Sequence, residues 1–276
     1  MDSYAPDSRG ILRIRDGALG KLYATNMTDI TVTRRYHYGP DVSQWADLYL
    51  PQGPVAGVVV VIHGGYWRSP YTADLGAPLA ADLAAHGVAA WNLEYRRLGN
   101  GGGWPNTFLD VAAGIDALAV AAAEHMLDLG RVVVLGHSAG GQLGVWAAGR
   151  AVLPAGAVGA LPAVAVTGVV SQSGLLDLAA AQELGLSNHA VDALMAGAPV
   201  ALADPLAAAP LPVPVLAVHA LNDADVPASQ SEAYVGAAGG AARLVRVPGD
   251  HFDLIDVRAE SYAVCRDLVL GLLARA

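Results

Sequence analysis

Ser138 lies in the pentapeptide GHSAG at 136–140, directly after the apolar run VVVL at 132–135 and before a helix-forming stretch. A GxSxG motif between a strand and a helix holds a catalytic serine on a sharp turn, with its hydroxyl above the sheet edge. Gly136 and Gly140 suit this turn, because a Cβ would clash where the strand and helix backbones meet. The pentapeptide alone is common in a glycine-rich chain, so its context carries the prediction that Ser138 is a nucleophile.

A serine hydroxyl needs a neighbouring base, and a third group must orient that base. In sheets of this kind the chain order is serine, acid, histidine, so we consider only histidines that follow Ser138. His251 lies in a short loop after the strand predicted over 242–247, and it alone follows a strand-end acid. His219 lies within the end of a strand, where a structural role is expected. His189 falls in an irregular region, where it could at most contact substrate.

Two aspartates are candidates for the acid, since Asp223 and Asp225 share the loop after the strand that precedes His251. We prefer Asp223 because it comes earliest after the strand end, while Asp225 is placed to cap the helix that follows Pro227. The alternative for both is loop capping. Asp250 is less suitable, because its adjacency to His251 makes the required side-chain geometry awkward.

The developing oxyanion needs preorganised N–H donors. The first should be the backbone of Ala139, the residue after the nucleophile. The others should come from the turn HGGYW at 63–67, which follows an apolar strand; Gly64 and Gly65 let the backbone face the substrate. We expect His63 to brace this turn through a hydrogen bond. Four aromatic residues on loops at the same edge predict an aromatic-lined substrate pocket: Tyr66, Trp67, Tyr95 and Trp104.

Alternating strands and helices must position these residues. Predicted strands cover 30–38, 44–50, 58–62, 88–93, 131–135, 164–170, 213–219 and 242–247. Predicted helices cover 73–86, 107–127, 139–150, 228–238 and 253–273. Apolar strands separated by helices indicate an α/β fold, with a mostly parallel central sheet, helices on both faces and an N-terminal antiparallel hairpin. Loops at the carboxyl ends of such strands converge on one site.

Composition limits the functional classes. Charged residues make up 15% of the 276 residues, against about 25% usually, which argues against disorder. The net charge is −9 and Lys21 is the only lysine, which argues against a P-loop and against nucleic-acid binding. The charge-free stretch between Arg150 and Asp177 raises the question of a membrane span, but two prolines and several glycines break it.

We therefore expect a single domain over 1–276, with region 171–210 forming either a small cap or a long connection. The N-terminus has early acids and no apolar core, which argues against a signal peptide and favours a cytoplasmic location. We expect a small-molecule substrate, no cofactor, no metal, and no nucleic-acid or membrane partner. Formation of a homodimer stays open.

From about residue 45 onward the chain resembles the α/β-hydrolase superfamily. The motifs HGGYW, EYRR, GHSAGGQL, NDADVP and DHFDLID resemble the kynurenine formamidase (arylformamidase) group and nearby small esterases. This resemblance implies a Ser138–Asp223–His251 triad, an oxyanion hole from Gly64, Gly65 and Ala139, and hydrolysis of N-formylkynurenine in tryptophan catabolism without a metal. The acid loop NDADVP is more similar to peptidase-like and feruloyl-esterase-like relatives.

Two other functions remain as alternatives. The same motifs occur in carboxylesterases that act on acetyl or aryl esters, so a short-chain or aryl carboxylesterase is the closest one. A non-catalytic ligand-binding homologue is more remote, because such proteins usually lose a triad member and none is lost here.

Overall fold

The computed structural model describes residues 32–274. The strands are β1 (Arg34–His37), β2 (Trp45–Tyr49), β3 (Val58–Ile62), β4 (Ala89–Leu93), β5 (Val132–His137), β6 (Gly168–Gln172), β7 (Val215–Ala220) and β8 (Ala242–Val247). The helices are α1 (Ala77–Ala85), α2 (Asn106–Asp116), α3 (Leu118–His125), α4 (Ala139–Ala148), α5 (Leu178–Glu183), α6 (Leu186–Met195), α7 (Ser229–Ala238) and α8 (Glu260–Leu273).

The eight strands form one sheet in the order β1-β2-β4-β3-β5-β6-β7-β8. β1 pairs with β2, and β2 with β4, in antiparallel fashion, whereas every other pair is parallel. The predicted α/β class and N-terminal hairpin are therefore confirmed. The first predicted strand began at residue 30, and its first two residues lie outside the described part of the chain.

The central strands are buried along their whole length. Every residue of β3 and of β5 is buried, so helices cover both faces of the sheet at its centre. This burial explains why the two strands are continuous apolar runs instead of alternating ones. All ten residues of α4 are buried as well, which fixes the start of this helix against the end of β5.

Three predicted helices are interrupted. The one predicted over 73–86 forms a 3₁₀ turn at Ala73–Leu75 and then α1. The stretch predicted as one helix over 107–127 forms α2 and α3 on either side of Ala117. The predicted final helix over 253–273 forms a short 3₁₀ turn at Asp253–Ile255 and then α8. Of the described residues, Asn106–His125 is long and apolar enough to span a membrane by length and composition, with a mean hydropathy of 1.4. More than half of its most apolar window is buried inside the protein.

Region 171–210 contains α5 and α6, and its apolar side chains join the main hydrophobic core. Several hydrogen bonds tie it to other elements. Gln142 of α4 donates from its side chain to the Ala203 carbonyl at 2.7 Å, and the Trp104 N–H donates to the Leu194 carbonyl at 2.7 Å. The region is therefore packed into the core at several points, and its role as a cap stays a prediction. Residues Val32–Ala276 form one compact unit; the rest of the predicted single domain lies outside the described residues.

Candidate active site

The turn at Ser138 has the backbone geometry expected of a nucleophile elbow. Ser138 links β5 to α4 with φ 54° and ψ −119°, a conformation that a residue with a side chain rarely adopts. A Cβ at Gly136 would collide with the Gly140 carbonyl oxygen, and one at Gly140 with the carbonyl oxygen of Ile62. Both motif glycines are thus required by close backbone approach, as their spacing predicted.

Gly64 lies directly against the nucleophile. A Cβ at position 64 would lie 2.9 Å from the Cβ of Ser138 and 2.8 Å from the His137 carbonyl oxygen. Gly65 has φ +107°, in the region that favours glycine. Ala139 is the first residue of α4, so its N–H has no acceptor within that helix. The structure therefore places Gly64 and Ala139 at the turn of Ser138, with Gly65 next to Gly64 in the chain, and their role as oxyanion-hole donors stays a prediction.

His63 supports the same turn through contacts of both its ring nitrogens. Its Nδ1 lies 2.9 Å from the Gly64 carbonyl oxygen, and its Nε2 lies 3.2 Å from Oε1 of Glu94. The ring stacks on Tyr95 at 4.4 Å between centroids. Burial opposes ionisation of Glu94, but His63, Arg97 and the Tyr95 N–H together lower its pKa. The buried His63–Glu94 pair thus supports the turn, in agreement with the bracing role predicted for His63.

Asp223 and His251 meet at the carboxyl ends of β7 and β8. Nδ1 of His251 lies 2.7 Å from Oδ2 of Asp223, and both side chains are buried. Oδ1 of Asp223 accepts the N–H groups of Asp225 and Val226 at 2.9 and 2.8 Å. Burial raises the pKa of Asp223, but the hydrogen bond and charge of His251 outweigh it and lower the pKa to about 2. The carboxylate is therefore ionised and faces the histidine.

The other candidate acids and bases are placed differently. No side-chain hydrogen bond caps the start of α7, so Asp225 does not play the capping role that its position predicted. His219 is buried, with Nδ1 2.9 Å from Oγ of Ser231 and Nε2 3.1 Å from the Val226 carbonyl. Burial lowers the pKa of His219, and its bonds fit the structural role predicted for it. His189 is exposed and pairs with Asp192.

Two of the four predicted substrate contacts belong to the core instead. Trp67 and Tyr95 are fully buried. The Trp67 indole N–H donates to Oε1 of Gln142 at 3.1 Å, and the Tyr95 hydroxyl donates to the His63 carbonyl at 2.8 Å. These two hydrogen bonds hold the turn HGGYW at 63–67 (the oxyanion turn) against the sheet and α4. The rings of Trp67 and Tyr95 are therefore not available to line a pocket. A sequence pattern could not distinguish these inward rings from outward ones.

Tyr66 and Trp104 are half-buried and stay as predicted substrate contacts. The Tyr66 hydroxyl donates to the Asp225 carbonyl at 2.7 Å, which joins the oxyanion turn to the acid loop. Burial raises the pKa of Tyr66, so its hydroxyl is a donor at all physiological pH values. Trp104 packs edge-to-face on Phe108 at 4.9 Å.

Three site residues were missed by the sequence reasoning. His137 and Gln172 bond to the segment that carries His251, and the nearby Ser173 hydroxyl helps to lower the pKa of Asp223. His137 precedes Ser138 in the chain, so the order serine, acid, histidine gave no signal for it. His137 and Gln172 are paired across β5 and β6, and no local sequence motif predicts that pairing.

The described residues include no group of three or more His, Cys, Asp and Glu side chains arranged to hold a metal ion. A histidine paired with an ionised aspartate, as His251 and Asp223 are, can act as the general base for a nucleophile such as the predicted Ser138.

Comparison with known proteins decides the family. The model of the BD-FAE family matches residues 46–237, which is more than half of the chain. The chain belongs to the BD-FAE family. Together with the α/β-hydrolase fold and the serine at the turn after β5, membership of this family indicates that the protein is an esterase-type serine hydrolase. No curated protein sequence matches the chain significantly.

Solved structures of esterases share the fold. A truncated carbohydrate esterase from gut microbiota is 22% identical, with TM-score 0.70, over 89% of this chain and 98% of that chain. Esterase B from Lactobacillus rhamnosis is 21% identical, with TM-score 0.77, over 90% of this chain and 87% of that chain. A thermophilic esterase from Thermogutta terrifontis with butyrate bound is 20% identical, with TM-score 0.71, over 88% and 93%. At these identities the likeness establishes a common fold.

Proposed function

We propose that the protein is a serine carboxylesterase that cleaves a short-chain acyl ester. Ser138 is the nucleophile, His251 the base and Asp223 the acid that orients it. The observation that carries the proposal is the 2.7 Å hydrogen bond between His251 Nδ1 and Asp223 Oδ2, formed beside the strained turn at Ser138. Because Nδ1 donates to the carboxylate, Nε2 is the ring nitrogen left to take the serine proton.

The reaction then follows from these positions. Oγ of Ser138 attacks the ester carbonyl while Nε2 of His251 accepts its proton. The oxyanion is stabilised by N–H groups of the turn containing Gly64 and Gly65 and by that of Ala139, where removing one donor typically costs about 10²–10³ in rate. The alcohol leaves with the proton from His251, and water, activated by the same histidine, cleaves the acyl-enzyme to release the carboxylic acid.

Two comparisons support a short acyl group. The Thermogutta terrifontis esterase was solved with butyrate and with propionate bound, and esterase B from Lactobacillus rhamnosis was solved with a tributyrin phosphonate inhibitor. The carbohydrate esterase with the same fold makes acylated sugars a substrate class to include in the test. The family and these neighbours favour an ester over the formamide that the sequence resemblance implied.

Hydrolysis of N-formylkynurenine remains the second candidate function. It is supported by the motifs HGGYW and DHFDLID, which resemble those of the arylformamidase group. An amide would be cleaved by the same nucleophile and the same base, so the active-site geometry is compatible with both substrates.

The deciding experiment compares kcat/KM for p-nitrophenyl acetate, p-nitrophenyl butyrate, an acetylated sugar and N-formylkynurenine. We expect the esters to exceed the formamide by orders of magnitude. Ser138→Ala should lower kcat by about 10⁴-fold or more while leaving the unfolding transition in place. A formamide that is turned over faster than every ester would replace this proposal with the arylformamidase function, and a fully active Ser138→Ala variant would remove both.

A further inference from the structure

Two side chains behind the active site hold the loop that carries His251. His137, the last residue of β5, is the register partner of Gln172, the last residue of β6. Nε2 of His137 lies 2.9 Å from the His251 carbonyl oxygen, and Nε2 of Gln172 donates to the Leu254 carbonyl at 2.5 Å. Both side chains are buried. The loop is therefore fastened at two carbonyl groups by neighbouring strand ends.

The hydrogen bond to the His251 carbonyl determines which ring nitrogen of His137 carries a hydrogen. A carbonyl oxygen only accepts hydrogen bonds, so Nε2 of His137 carries a hydrogen. Burial, with smaller effects of the neighbouring His251 and His63, lowers the pKa of His137 to about 3, although Asp223 and the bond to the His251 carbonyl oppose the shift. The ring is neutral at physiological pH, which leaves a lone pair on Nδ1. A neutral ring adds no positive charge beside His251, whose ring lies 4.5 Å away between centroids.

The remaining acceptors of the pair are buried. Nδ1 of His137 and Oε1 of Gln172 have no hydrogen-bond partner among the described residues. Both side chains line a cavity of about 10 Å³ beneath the oxyanion turn, with Gly64 and Ile255 among its other walls.

We propose that His137 and Gln172 are positioning residues that set the main chain of the His251 loop, so that Nδ1 meets Asp223 and Nε2 faces Ser138. The proposal rests on the function proposed above, in which His251 is the base. Within the loop, the N–H of Asp250 donates to Oδ2 of Asp253 at 2.8 Å and the N–H of Phe252 donates to Oδ1 of Asp250 at 3.0 Å. The carbonyls of His251 and Leu254, in contrast, are held from the ends of β5 and β6. A displacement of about 1 Å in a reacting group can lower the rate about 100-fold.

The test uses the full chain with three variants. His137→Phe keeps a ring of similar size and removes the donor, His137→Gln keeps a donor at similar reach, and Gln172→Met keeps the side-chain length and removes the amide. The matched control is Gln230→Met, because Gln230 is an equally buried glutamine whose Oε1 accepts the Asp177 N–H at 2.9 Å, away from the His251 loop.

We expect His137→Phe and Gln172→Met to lower kcat, and the rate constant for labelling by a fluorophosphonate, by about 10–100-fold with little change in KM. His137→Gln should recover most of this loss, and Gln230→Met should lose none of it. The downfield proton signal of the His251–Asp223 hydrogen bond should shift or broaden in the two impaired variants and stay in place in the control.

Two results separate the proposals. If the unsubstituted protein fails to label with the fluorophosphonate, the proposed function fails, and the positioning role falls with it. If that protein labels normally, and His137→Phe and Gln172→Met label equally fast with an unchanged downfield proton, the positioning role alone is overturned. A loss of thermal stability in these variants without a change in rate also overturns the positioning role, since the pair would then be structural only.

Discussion

His251 and Asp223 are 28 residues apart in the chain, and their side chains meet at 2.7 Å. The Asp223 carboxylate has little freedom, because one oxygen faces the imidazole and the other accepts two backbone N–H groups of its own loop. Its pKa of about 2 keeps it ionised throughout the physiological range. This rigid, charged partner determines which nitrogen of His251 holds a proton, and hence which one can serve as a base.

Asp223→Asn should remove most of the activity. The asparagine amide can present N–H to Nδ1 and stabilise the wrong tautomer of His251, so we expect kcat to fall about 10³–10⁴-fold. Asp225→Asn is the matched control from the same loop, and it should stay within a few-fold of the unsubstituted rate because the Asp225 contact with Tyr66 uses its backbone carbonyl. Steady-state kinetics on p-nitrophenyl butyrate measures both. The reverse ranking would assign the acid to Asp225.

His137 should make the stability of the protein depend on pH. Its pKa in the folded protein is lowered to about 3, against about 6.5 in the unfolded chain. The unfolded state therefore binds more protons between these values, and the free energy of unfolding falls as the pH falls through this window. The slope from this one residue is at most about 1.4 kcal/mol per pH unit.

Urea denaturation of the unsubstituted protein and of His137→Gln, at intervals from pH 7 to about 4, checks this. As the pH falls, the free energy of unfolding of the unsubstituted protein should decrease relative to that of His137→Gln. Parallel curves would show that His137 titrates normally in the folded protein.

Gly140→Ala should impair both folding and activity. A methyl group there collides with the carbonyl oxygen of Ile62, so strand β3 or helix α4 must move. Overpacking of this kind costs about 1–3 kcal/mol. Gly271→Ala in α8 is the control, because a Cβ there meets nothing within 4 Å. It should stabilise the protein by up to about 1 kcal/mol, since alanine favours a helix over glycine. Chemical denaturation of both variants measures the contrast, and equal stabilities would contradict the close approach.

Tyr95→Phe tests the assignment of Tyr95 to the core. The variant loses the hydrogen bond to the His63 carbonyl, which is worth about 0.5–1.5 kcal/mol of unfolding free energy. KM should change little, because the buried ring does not contact substrate. Tyr66→Phe is the comparison on the half-buried side of the same turn. If Tyr95→Phe raised KM more than Tyr66→Phe, the prediction that Tyr95 lines the pocket would be restored.

Much of the fold was predictable because its signals are local. Continuous apolar strands such as Val58–Ile62 require cover on both faces, and chain order indicated that β5, β7 and β8 carry the three groups that the chemistry needs. The helix boundaries were less predictable. The apolar pattern of 107–127 continues across Ala117, where the structure separates α2 from α3.

The sequence by itself determined the kind of chemistry, since a serine on a glycine-flanked turn, an aspartate and a histidine in that order are recognisable from spacing alone. The tertiary structure decided which aspartate faces His251, which aromatic rings of the loops point into the core, and that His137 and Gln172 pair behind the site. The physical reason is that motifs describe neighbours along the chain. Burial, ring orientation and the hydrogen bonds between strand ends arise only when distant segments pack together.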